Sequence, residues 1–364
     1  MSATEESALK LLRELTETPA VPSFEDGVRK IVARELQDCG AVAHDRNGSV
    51  YCECQTSTEG PRVLVTGHMD EVGFMVQNIT AEGFIQFVPL GGWWTHTLLA
   101  QRVNVLTAAG ESILGVISST PPHFLSDEAR AKVLPIEELF IDVGAGSREE
   151  ATDVFGIRIG DAIAPETTFT QMRNPKFLMA KAFDNRVGIG LTIQTLQALH
   201  GESLPNALIG LATVQEEVGV RGATTAARAT RPDVALVLEG APADDTPGFN
   251  RNDSQGQLGA GVQVRIMDPT AIMSRRLVDF VKEVATENGI PHQLTVRRSG
   301  GTDARAIHLS GEGVPTVVIA VPARYIHSHN SIIHIDDYLA AHQLICALVR
   351  RLDASIVSGL TQFL

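Results

Sequence analysis

The sequence has little cysteine and no cysteine pattern that would build a framework. Its four cysteines are scattered: Cys39, Cys52, Cys54 and Cys346. Cys52 and Cys54 would lie on one face of a strand, but a second pair at the spacing of a zinc site is missing. We therefore expect reduced thiols, which are typical of a cytoplasmic protein.

The sequence also lacks long apolar runs and an excess of basic residues. No apolar run approaches the roughly 20 residues that span a membrane, and residues 1–10 are polar and acidic, unlike a signal peptide. The 364 residues carry a formal net charge of −13, and the pI is about 5.3. This charge argues against nucleic acid and anionic membranes as partners.

The pattern of apolar residues divides the chain into an α/β part and a β-rich part. A length of 364 residues suits about two domains. From residue 73 to residue 170, short alternating segments are separated by turns, which is typical of a small β-barrel or sandwich. We predict that 1–72 and 171–364 form one discontinuous α/β domain, with 73–170 inserted as a second domain.

One stretch organises the candidate chemistry: an apolar run, 207–214, is followed after one residue by Glu216 and Glu217. A run of this length that ends at a turn signal predicts a buried strand. Ligands of open α/β sheets bind beyond the carboxyl ends of the strands. A buried carboxylate without a partner is costly or becomes protonated. Metal ions would satisfy both carboxylates, although a solvated turn is an alternative.

Two further positions could supply ligands from a strand end and a helix start. His68 and Asp70 follow a short apolar strand, and residues two apart point to the same side. Imidazole is a frequent metal ligand, and a carboxylate often holds its second nitrogen. A histidine that hydrogen-bonds locally in a turn is the alternative. Asp184 precedes a helix, so it could be a ligand or an N-cap.

Glu239 and His327 each follow an apolar strand, Glu239 directly and His327 after a few residues. Glu239 could be a ligand or a carboxylate that faces water. His329 and His334 are neighbours of His327, and we expect them at the surface or in support of a ligand.

These positions are more specific together than alone. They share a histidine or carboxylate side chain at a strand end or helix start: His68, Asp184, Glu216, Glu217, Glu239 and His327. A two-metal hydrolytic site needs a bridging carboxylate, a histidine and a carboxylate for each metal, and a further carboxylate as base. Nitrogen and oxygen ligands without thiolate fit zinc, cobalt or manganese. We predict two divalent metal ions per subunit, with zinc as the first choice.

Several motifs resemble those of the tetrahedral aminopeptidases, a group that includes glutamyl aminopeptidases, FrvX proteins and proteins labelled endoglucanase M. The resemblance covers nearly the whole chain. The motifs are Gly67-His68-Met69-Asp70-Glu71-Val72-Gly73, Gly91-Gly92-Trp93, Gln101-Arg102-Val103, Pro122-His123, Leu139-Phe140-Ile141-Asp142-Val143-Gly144, Phe183-Asp184-Asn185-Arg186-Val187-Gly188, Gln215-Glu216-Glu217-Val218-Gly219, Gly300-Gly301-Thr302-Asp303-Ala304 and Arg324-Tyr325-Ile326-His327-Ser328.

The resemblance implies a metal-binding role for five residues. His68 and Glu239 would hold one metal ion together with Asp184. Glu217 and His327 would hold the second metal ion. Asp184 would then bridge the two ions.

The resemblance also implies how the rest of the chain contributes. Asp70 would orient His68, and Glu216 would be the general base. The larger domain would be a mixed-sheet α/β/α metallopeptidase domain, and 73–170 would be a PDZ-like dimerisation domain. The usual assembly of the family is a hollow tetrahedral dodecamer built from dimers.

The chain departs from the family's pattern at two places. The family commonly has Asp where this chain has Glu239, and the added methylene would shift the metal's position or affinity. The usual Trp-Asp-Pro pattern is lost at Trp94-Thr95-His96. Asp244 and Asp245 are also close to Glu239 in sequence and compete with it as the fifth ligand.

We predict a metal-dependent aminopeptidase that removes N-terminal residues from short peptides. Two other classes stay open. A glycoside hydrolase would use two carboxylates without a metal ion, so the two histidines argue against it. An assembly protein with a lapsed site would lack ligands, whereas every expected ligand position is filled.

Overall fold

The computed structural model describes residues 3–54, 60–250 and 252–364. The described helices are α1 (Ala3–Glu17), α2 (Asp26–Leu36), α3 (Asp127–Arg130), α4 (Phe183–Leu199), α5 (Arg221–Thr230), α6 (Arg275–Glu287), α7 (Ala304–Ile307), α8 (Ile335–Arg351) and α9 (Ala354–Leu360). The described strands are β1 (Gly40–His44), β2 (Val50–Cys54), β3 (Arg62–His68), β4 (Gly73–Ile79), β5 (Ile85–Leu90), β6 (Arg102–Leu106), β7 (Ser112–Ser118), β8 (Phe140–Asp142), β9 (Ala162–Pro165), β10 (Thr170–Gln171), β11 (Phe177–Ala180), β12 (Ala207–Thr213), β13 (Val234–Pro242), β14 (Val262–Asp268), β15 (Ala271–Ile272), β16 (His292–Val296), β17 (Thr316–Arg324) and β18 (Ser331–His334).

A large mixed sheet is formed by strands that precede residue 69 or follow residue 169. Its main strand order is β1-β2-β12-β3-β13-β17-β18-β11-β10, and β14 joins it through β17. The central strands β12, β3, β13 and β17 are parallel. In contrast, β2 pairs antiparallel with β12, and β14 and β18 each pair antiparallel with β17. This architecture confirms the predicted α/β class with a mixed sheet.

The central strands are buried on both faces. Nearly every residue of β3, β13 and β17 is buried, which explains their continuous apolar runs, as expected for parallel strands that are covered on both sides. α4 packs against β3 and β13 and also contacts α1 and α8. The N-terminal end of α4 is thereby held beside the carboxyl end of β3.

The strands between residues 73 and 165 form a separate closed barrel in the order β4-β5-β8-β7-β6-β9. Alternate residues of these strands fill its interior, among them Phe74, Val76, Ile85 and Ile117. The barrel explains the period-two pattern of this stretch and agrees with the expected β-rich insert. Its PDZ-like character, the domain boundaries at 72/73 and 170/171 and the dimerisation role stay predictions.

Two structural findings bear on the expectations about membrane spans and about the cysteines. No helix among the described residues is long and apolar enough to cross a membrane. The four cysteines are buried and free, which agrees with the expectation of reduced thiols. The cytoplasmic location stays a prediction.

Candidate metal centre

The parallel strands bring the predicted site residues to one edge of the sheet. His68 ends β3 and pairs in register with Thr213 at the end of β12, so the chain that leaves β12 passes beside His68. Glu239 lies inside β13 rather than after it, because β13 continues to pair with β17 as far as Pro242. The predicted end of that strand at residue 238 was therefore wrong. His327 follows the end of β17 by three residues.

One group of three possible ligands surrounds the imidazole of His68. Its Nε2 atom lies 3.2 Å from Asp184 Oδ1 and 3.7 Å from Glu239 Oε2. One ligand atom from each of these three residues lies within 4.8 Å of the others. His68 is 1% exposed, so this group is closed to solvent on the histidine's side.

A second group lies around His327. The Nε2 atom of His327 is 3.4 Å from Asp184 Oδ2 and 3.4 Å from Glu217 Oε2. Asp184 thus faces His68 with one oxygen and His327 with the other. Glu217 Oε1 is buried and has no hydrogen-bond partner in the described part of the chain. Such an orphaned oxygen, with an all-nitrogen-and-oxygen donor set, fits a divalent cation.

Asp184 reaches both groups from the irregular start of α4. Ala182, two residues before Asp184, has a left-handed φ of 56°. Asp184 and Asn185 have non-helical backbone angles, and a cis peptide bond joins them. The side chain of Asp184 faces the two histidines instead of capping the helix. The alternative of an N-cap is therefore wrong for this residue.

The two adjacent glutamates face one site because the chain turns there. Gln215 has a left-handed φ of 55°, and the amides of Gly219 and Val220 both donate to the carbonyl of Glu216. A left-handed backbone at a residue other than glycine is uncommon and needs support from its surroundings. Gly219 follows the two glutamates in this turn with a positive φ of 120°.

Asp70 supports that turn directly. Its Oδ1 and Oδ2 atoms accept hydrogen bonds from the backbone amides of Glu216 and Glu217, each at 3.0 Å. The nearest acceptor for His68 Nδ1 is the backbone carbonyl of Asp70 at 3.0 Å, and the carboxylate lies farther away at 3.5 Å. The Asp70 carboxylate therefore holds the glutamate turn more closely than it holds His68.

The site crowds carboxylates away from water. Burial raises the pKa of Glu216 well above its usual range, and the charges of Asp303 and Glu217 add to the effect. Burial likewise raises the pKa of Glu239 well above its usual range and that of Glu217 to about 8, with the charge of Asp184 contributing to both. Like charges held together in a buried site disfavour ionisation. Cations bound among them would relieve this cost.

The pKa values of the two histidines are also raised, but by the neighbouring carboxylates and against the effect of burial. Burial would lower the pKa of His327, but hydrogen bonding to Asp184 and the charge of Glu217 raise it to about 9. The pKa of His68 is raised well above its usual range by Asp184 and Asp70, although burial opposes this. Hydrogen bonds from His327 and His68 hold the pKa of Asp184 below its usual range, against the effect of burial. Four carboxylates face two imidazoles here. The acidic groups thus outnumber the basic ones, and bound cations would balance the excess negative charge.

The competing aspartates lie outside the two groups. Asp244 pairs with Arg297 at 2.9 Å and accepts a hydrogen bond from Ser254 at 2.8 Å. Asp245 binds Arg324 through both oxygens, at 2.7 and 2.6 Å. Both carboxylates are thus already satisfied by arginine.

The competing histidines also lie elsewhere. His329 is buried against Trp93, with ring centroids 5.5 Å apart, and burial lowers its pKa to about 4. His334 accepts a hydrogen bond from the amide of Asp336 at the start of α8. Neither histidine belongs to the groups around His68 and His327.

The sequence interpretation missed a buried ion cluster beneath the site. Lys181 Nζ lies 2.6 and 2.7 Å from the two oxygens of Glu71, and Arg186 Nη2 lies 3.2 Å from Glu71 Oε1. Arg186 also donates to the backbone carbonyls of Leu15 and Met69. Glu71 adjoins Asp70 in the sequence, and Lys181 and Arg186 flank Asp184, which was the available signal. The cluster fixes the start of α4 against the end of β3.

Asp303 is a second missed residue. It is fully buried, accepts a hydrogen bond from the hydroxyl of Thr213, and its Oδ1 atom has no partner among the residues described. Burial raises its pKa to about 6. Its position in the Gly300–Ala304 motif was the signal for its importance.

A cavity of about 460 Å³ opens over the two groups. His68, Asp184, Glu216, Glu217, Glu239 and His327 line it, together with residues of the 299–302 loop. The structure thus brings all six predicted positions to one cavity. Its volume lies in the range of small-molecule sites.

Comparison with known proteins places this arrangement in a family. A model of the M42 glutamyl aminopeptidase family matches residues 48–344. The glutamyl aminopeptidase of Lactococcus lactis subsp. cremoris (strain MG1363) is 37% identical over 355 residues, which span 97% of this chain and 98% of the relative.

Solved structures agree with this match. The TET aminopeptidase from the marine sediment archaeon Thaumarchaeota archaeon SCGC AB-539-E09 is 39% identical, with a TM-score of 0.95 and coverage of 99% of this chain and 100% of that one. The TET1 peptidase of Pyrococcus horikoshii, described as able to assemble into a tetrahedron or a large octahedral shell, is 32% identical, with a TM-score of 0.84 and coverage of 95% and 100%.

The family model spans most of the chain, and the relatives match it nearly from end to end. The resemblance carried by the sequence motifs is therefore confirmed, as is the expectation of an enzyme. This chain belongs to the M42 glutamyl aminopeptidase family and is a peptide hydrolase.

Proposed function

We propose that the chain removes N-terminal residues from short peptides and that two divalent metal ions bind in its cavity. One observation carries this proposal: Asp184 presents one carboxylate oxygen to His68 and the other to His327, with Glu239 and Glu217 completing two groups of three ligands. A shared carboxylate between two such groups is the arrangement that a two-metal hydrolytic site requires.

The residues of the cavity suit zinc, cobalt or manganese, because they offer imidazole and carboxylate donors without thiolate. Divalent ions held there supply Lewis acidity, which lowers the pKa of water and polarises a carbonyl oxygen. The orphaned Oε1 of Glu217 and the raised pKa values of Glu216, Glu217 and Glu239 support cation binding at this place.

Glu216 is the general base in this proposal. Its carboxylate lies 3.9 Å from His68 Nε2, beside both ligand groups but a member of neither. Burial raises its pKa when no cation is bound, and cations in the two neighbouring groups would keep it ionised and able to accept a proton from the attacking water. The same side chain would deliver that proton to the leaving amine. Asp70 keeps Glu216 in place through the backbone amide.

A second part of the proposal concerns assembly. We infer that residues 73–170 form a dimerisation domain through which dimers build a tetrahedral dodecamer. Among the strands that the structure describes, those of the barrel pair with one another and not with the large sheet. The barrel part also exposes large apolar side chains, with Trp94 65% and Phe124 81% exposed. Replacing 73–170 by a short linker should abolish large assemblies in sedimentation. A deletion variant that keeps the parent's oligomer would contradict the dimerisation role.

The activity itself is tested with a panel of aminoacyl arylamides. Chelator-treated protein should be inactive, and addition of zinc, cobalt or manganese in turn should restore hydrolysis of some members. The pattern of rates would also give the preferred N-terminal residue and metal. Chelator-resistant cleavage of a cellulosic substrate, with no arylamide hydrolysis under any metal, would instead favour a glycoside hydrolase.

A further inference from the structure

A second cavity, of about 490 Å³, adjoins the candidate catalytic cavity. Gly219, Val220 and Arg305 line both cavities, so they share one wall and a ligand can extend from one into the other. Gly219 and Val220 follow directly on the glutamate turn. The second cavity therefore begins next to the carboxylate that we propose as the base.

The second cavity is basic in an acidic protein. Arg228, in the last turn of α5, and Arg305, in α7, both line it, because α5 and α7 pack against each other. The other residues that line it are uncharged: Gly219, Val220, Thr224, Ala306, Leu309, Ser310 and Gly311. With a net charge of −13 on the whole chain, a cavity whose described lining holds two arginines and no acidic residue is a local exception.

These two arginines differ from the others around the catalytic cavity. Arg297 pairs with Asp244 at 2.9 Å, and Arg265 pairs with Asp268 at 3.2 Å. Within the described residues, neither Arg228 nor Arg305 has an ion pair or a side-chain hydrogen bond. A guanidinium group stays charged at physiological pH, and its planar fork matches a carboxylate with two parallel hydrogen bonds.

In an aminopeptidase, the part of the peptide that follows the scissile bond is the natural occupant of this second cavity. The amino-terminal residue of the substrate must lie at the reacting centre, so the remainder of the peptide leaves along an adjoining open surface. We propose that Arg228 and Arg305 bind a carboxylate of the peptide downstream of the scissile bond. This proposal depends on the proposed function, since it assigns the second cavity to the part of the peptide that becomes the product. The carboxylate is the free C-terminus of a short peptide or an acidic side chain near the cleavage point.

Tripeptides that differ only in that carboxylate provide the test. The parent enzyme, loaded with metal, should show a lower KM for Leu-Gly-Gly than for its C-terminal amide. Arg228→Gln and Arg305→Gln should each raise the ratio of the free-acid KM to the amide KM by about three- to tenfold, the scale of a partly exposed charge-assisted contact. Arg148→Gln is the matched control, because Arg148 is an exposed arginine of the barrel part, and it should keep the parental ratio.

A second pair of substrates separates the two sources of the carboxylate. Leu-Gly-Glu-amide and Leu-Gly-Gln-amide differ only in a side-chain charge. A lower KM for the glutamate peptide, lost in Arg228→Gln or Arg305→Gln, would assign the cavity to acidic side chains. A preference confined to free C-termini would assign it to the terminal carboxylate. Equal KM values within both substrate pairs for the parent enzyme would overturn the proposal.

A binding experiment distinguishes failure of the carboxylate site from failure of the proposed aminopeptidase activity. Calorimetric titration of the chelator-treated full chain with the free acid and the amide needs no catalysis. Tighter binding of the free acid, lost in both arginine variants, supports the carboxylate site even if no arylamide is hydrolysed. Equal binding of acid and amide overturns the carboxylate site, whatever the activity of the enzyme towards arylamides.

Discussion

The Nδ1 atom of His327 lies 2.8 Å from the backbone carbonyl oxygen of Gly92. A carbonyl oxygen only accepts hydrogen bonds, so Nδ1 carries a proton and Nε2 is the ring nitrogen that faces Asp184 and Glu217. In the neutral imidazole this leaves the lone pair on Nε2, where a metal ion would bind. Gly92 follows β5 of the barrel, whereas His68, Asp184 and Glu239 belong to the large sheet and α4. The barrel part therefore helps to position His327, a ligand of the second group.

Gly92→Ala should weaken metal binding at the second group only. A Cβ at residue 92 would lie 3.3 Å from His327 Nδ1, so the imidazole ring must shift. The Gly92 carbonyl remains in this variant, but the displaced ring weakens its hydrogen bond to it, and disturbing the partner that orients a ligating histidine typically costs about 10- to 100-fold in metal affinity. Metal analysis after dialysis should show occupancy falling by about half. Gly359→Ala is the control, because a Cβ there contacts nothing within 4 Å. Parental metal content in Gly92→Ala would rule out this positioning role.

The two adjacent glutamates should respond differently to the same substitution. Glu217→Gln should lower metal content and activity together, since Glu217 faces His327 and Asp184 as a ligand. Glu216→Gln keeps the size of the side chain but cannot accept a proton, so it should bind metal nearly normally and lose about 10²–10⁴-fold in kcat. Metal analysis beside steady-state kinetics separates the roles. Near-parental turnover of Glu216→Gln would end its assignment as the base.

Substitutions of Glu239 test how far the site tolerates a change in the length of this ligand's side chain. Glu239→Asp should keep activity, because it restores the ligand that the family commonly has at this position. Glu239→Ala should lower metal content, since it removes the carboxylate 3.7 Å from His68 Nε2. Asp244→Ala, which breaks the pair with Arg297, is a control that should keep its metal. If Glu239→Ala kept its metal and Asp244→Ala lost it, the ligand would be reassigned.

Local patterns in the sequence were sufficient for the fold class and for the candidate residues. The apolar runs of β3, β12 and β17 predict buried parallel strands because both faces of such strands are covered. The period-two stretch after residue 73 predicts the barrel for a similar reason, since one face of each strand packs inward. The chemistry of His68 and Glu217 was recognisable because His68 ends such a strand and Glu217 closely follows one.

Contacts between residues far apart in sequence could not be predicted in the same way. Glu71 and Lys181 are 110 positions apart, and neither residue type is expected to be fully buried. The bond between His327 and Gly92 spans 235 positions and uses a backbone carbonyl that carries no sequence signature. The support that Asp70 gives to the Glu216 amide depends on the turn at Gln215, a left-handed backbone that its residue type does not favour.

Removal of metal should make stability depend on pH in a defined direction. In the metal-free site the pKa of Glu217 is about 8 and that of His327 about 9, against ordinary values of 4.5 and 6.5. The pKa values of Glu216, Glu239 and His68 are raised as well. These five groups therefore hold more protons in the folded chain than in the unfolded chain between about pH 4.5 and pH 9. The stability that these groups contribute is fully present below their unfolded pKa values and is lost as the pH rises through 8 and 9.

Thermal unfolding of chelator-treated protein should accordingly show Tm falling from pH 5.5 to pH 9. Metal-loaded protein should not show this fall, because divalent ions bind the deprotonated ligands and bind them better as the pH rises. Glu217→Gln should flatten the curve of the metal-free protein, since it removes one of the titrating carboxylates. Asp127→Asn, on the exposed helix α3, is the control and should keep the parental slope. A Tm that rises with pH in the metal-free parent would show that the buried carboxylates are compensated by other groups and that cations are not needed to offset their charge.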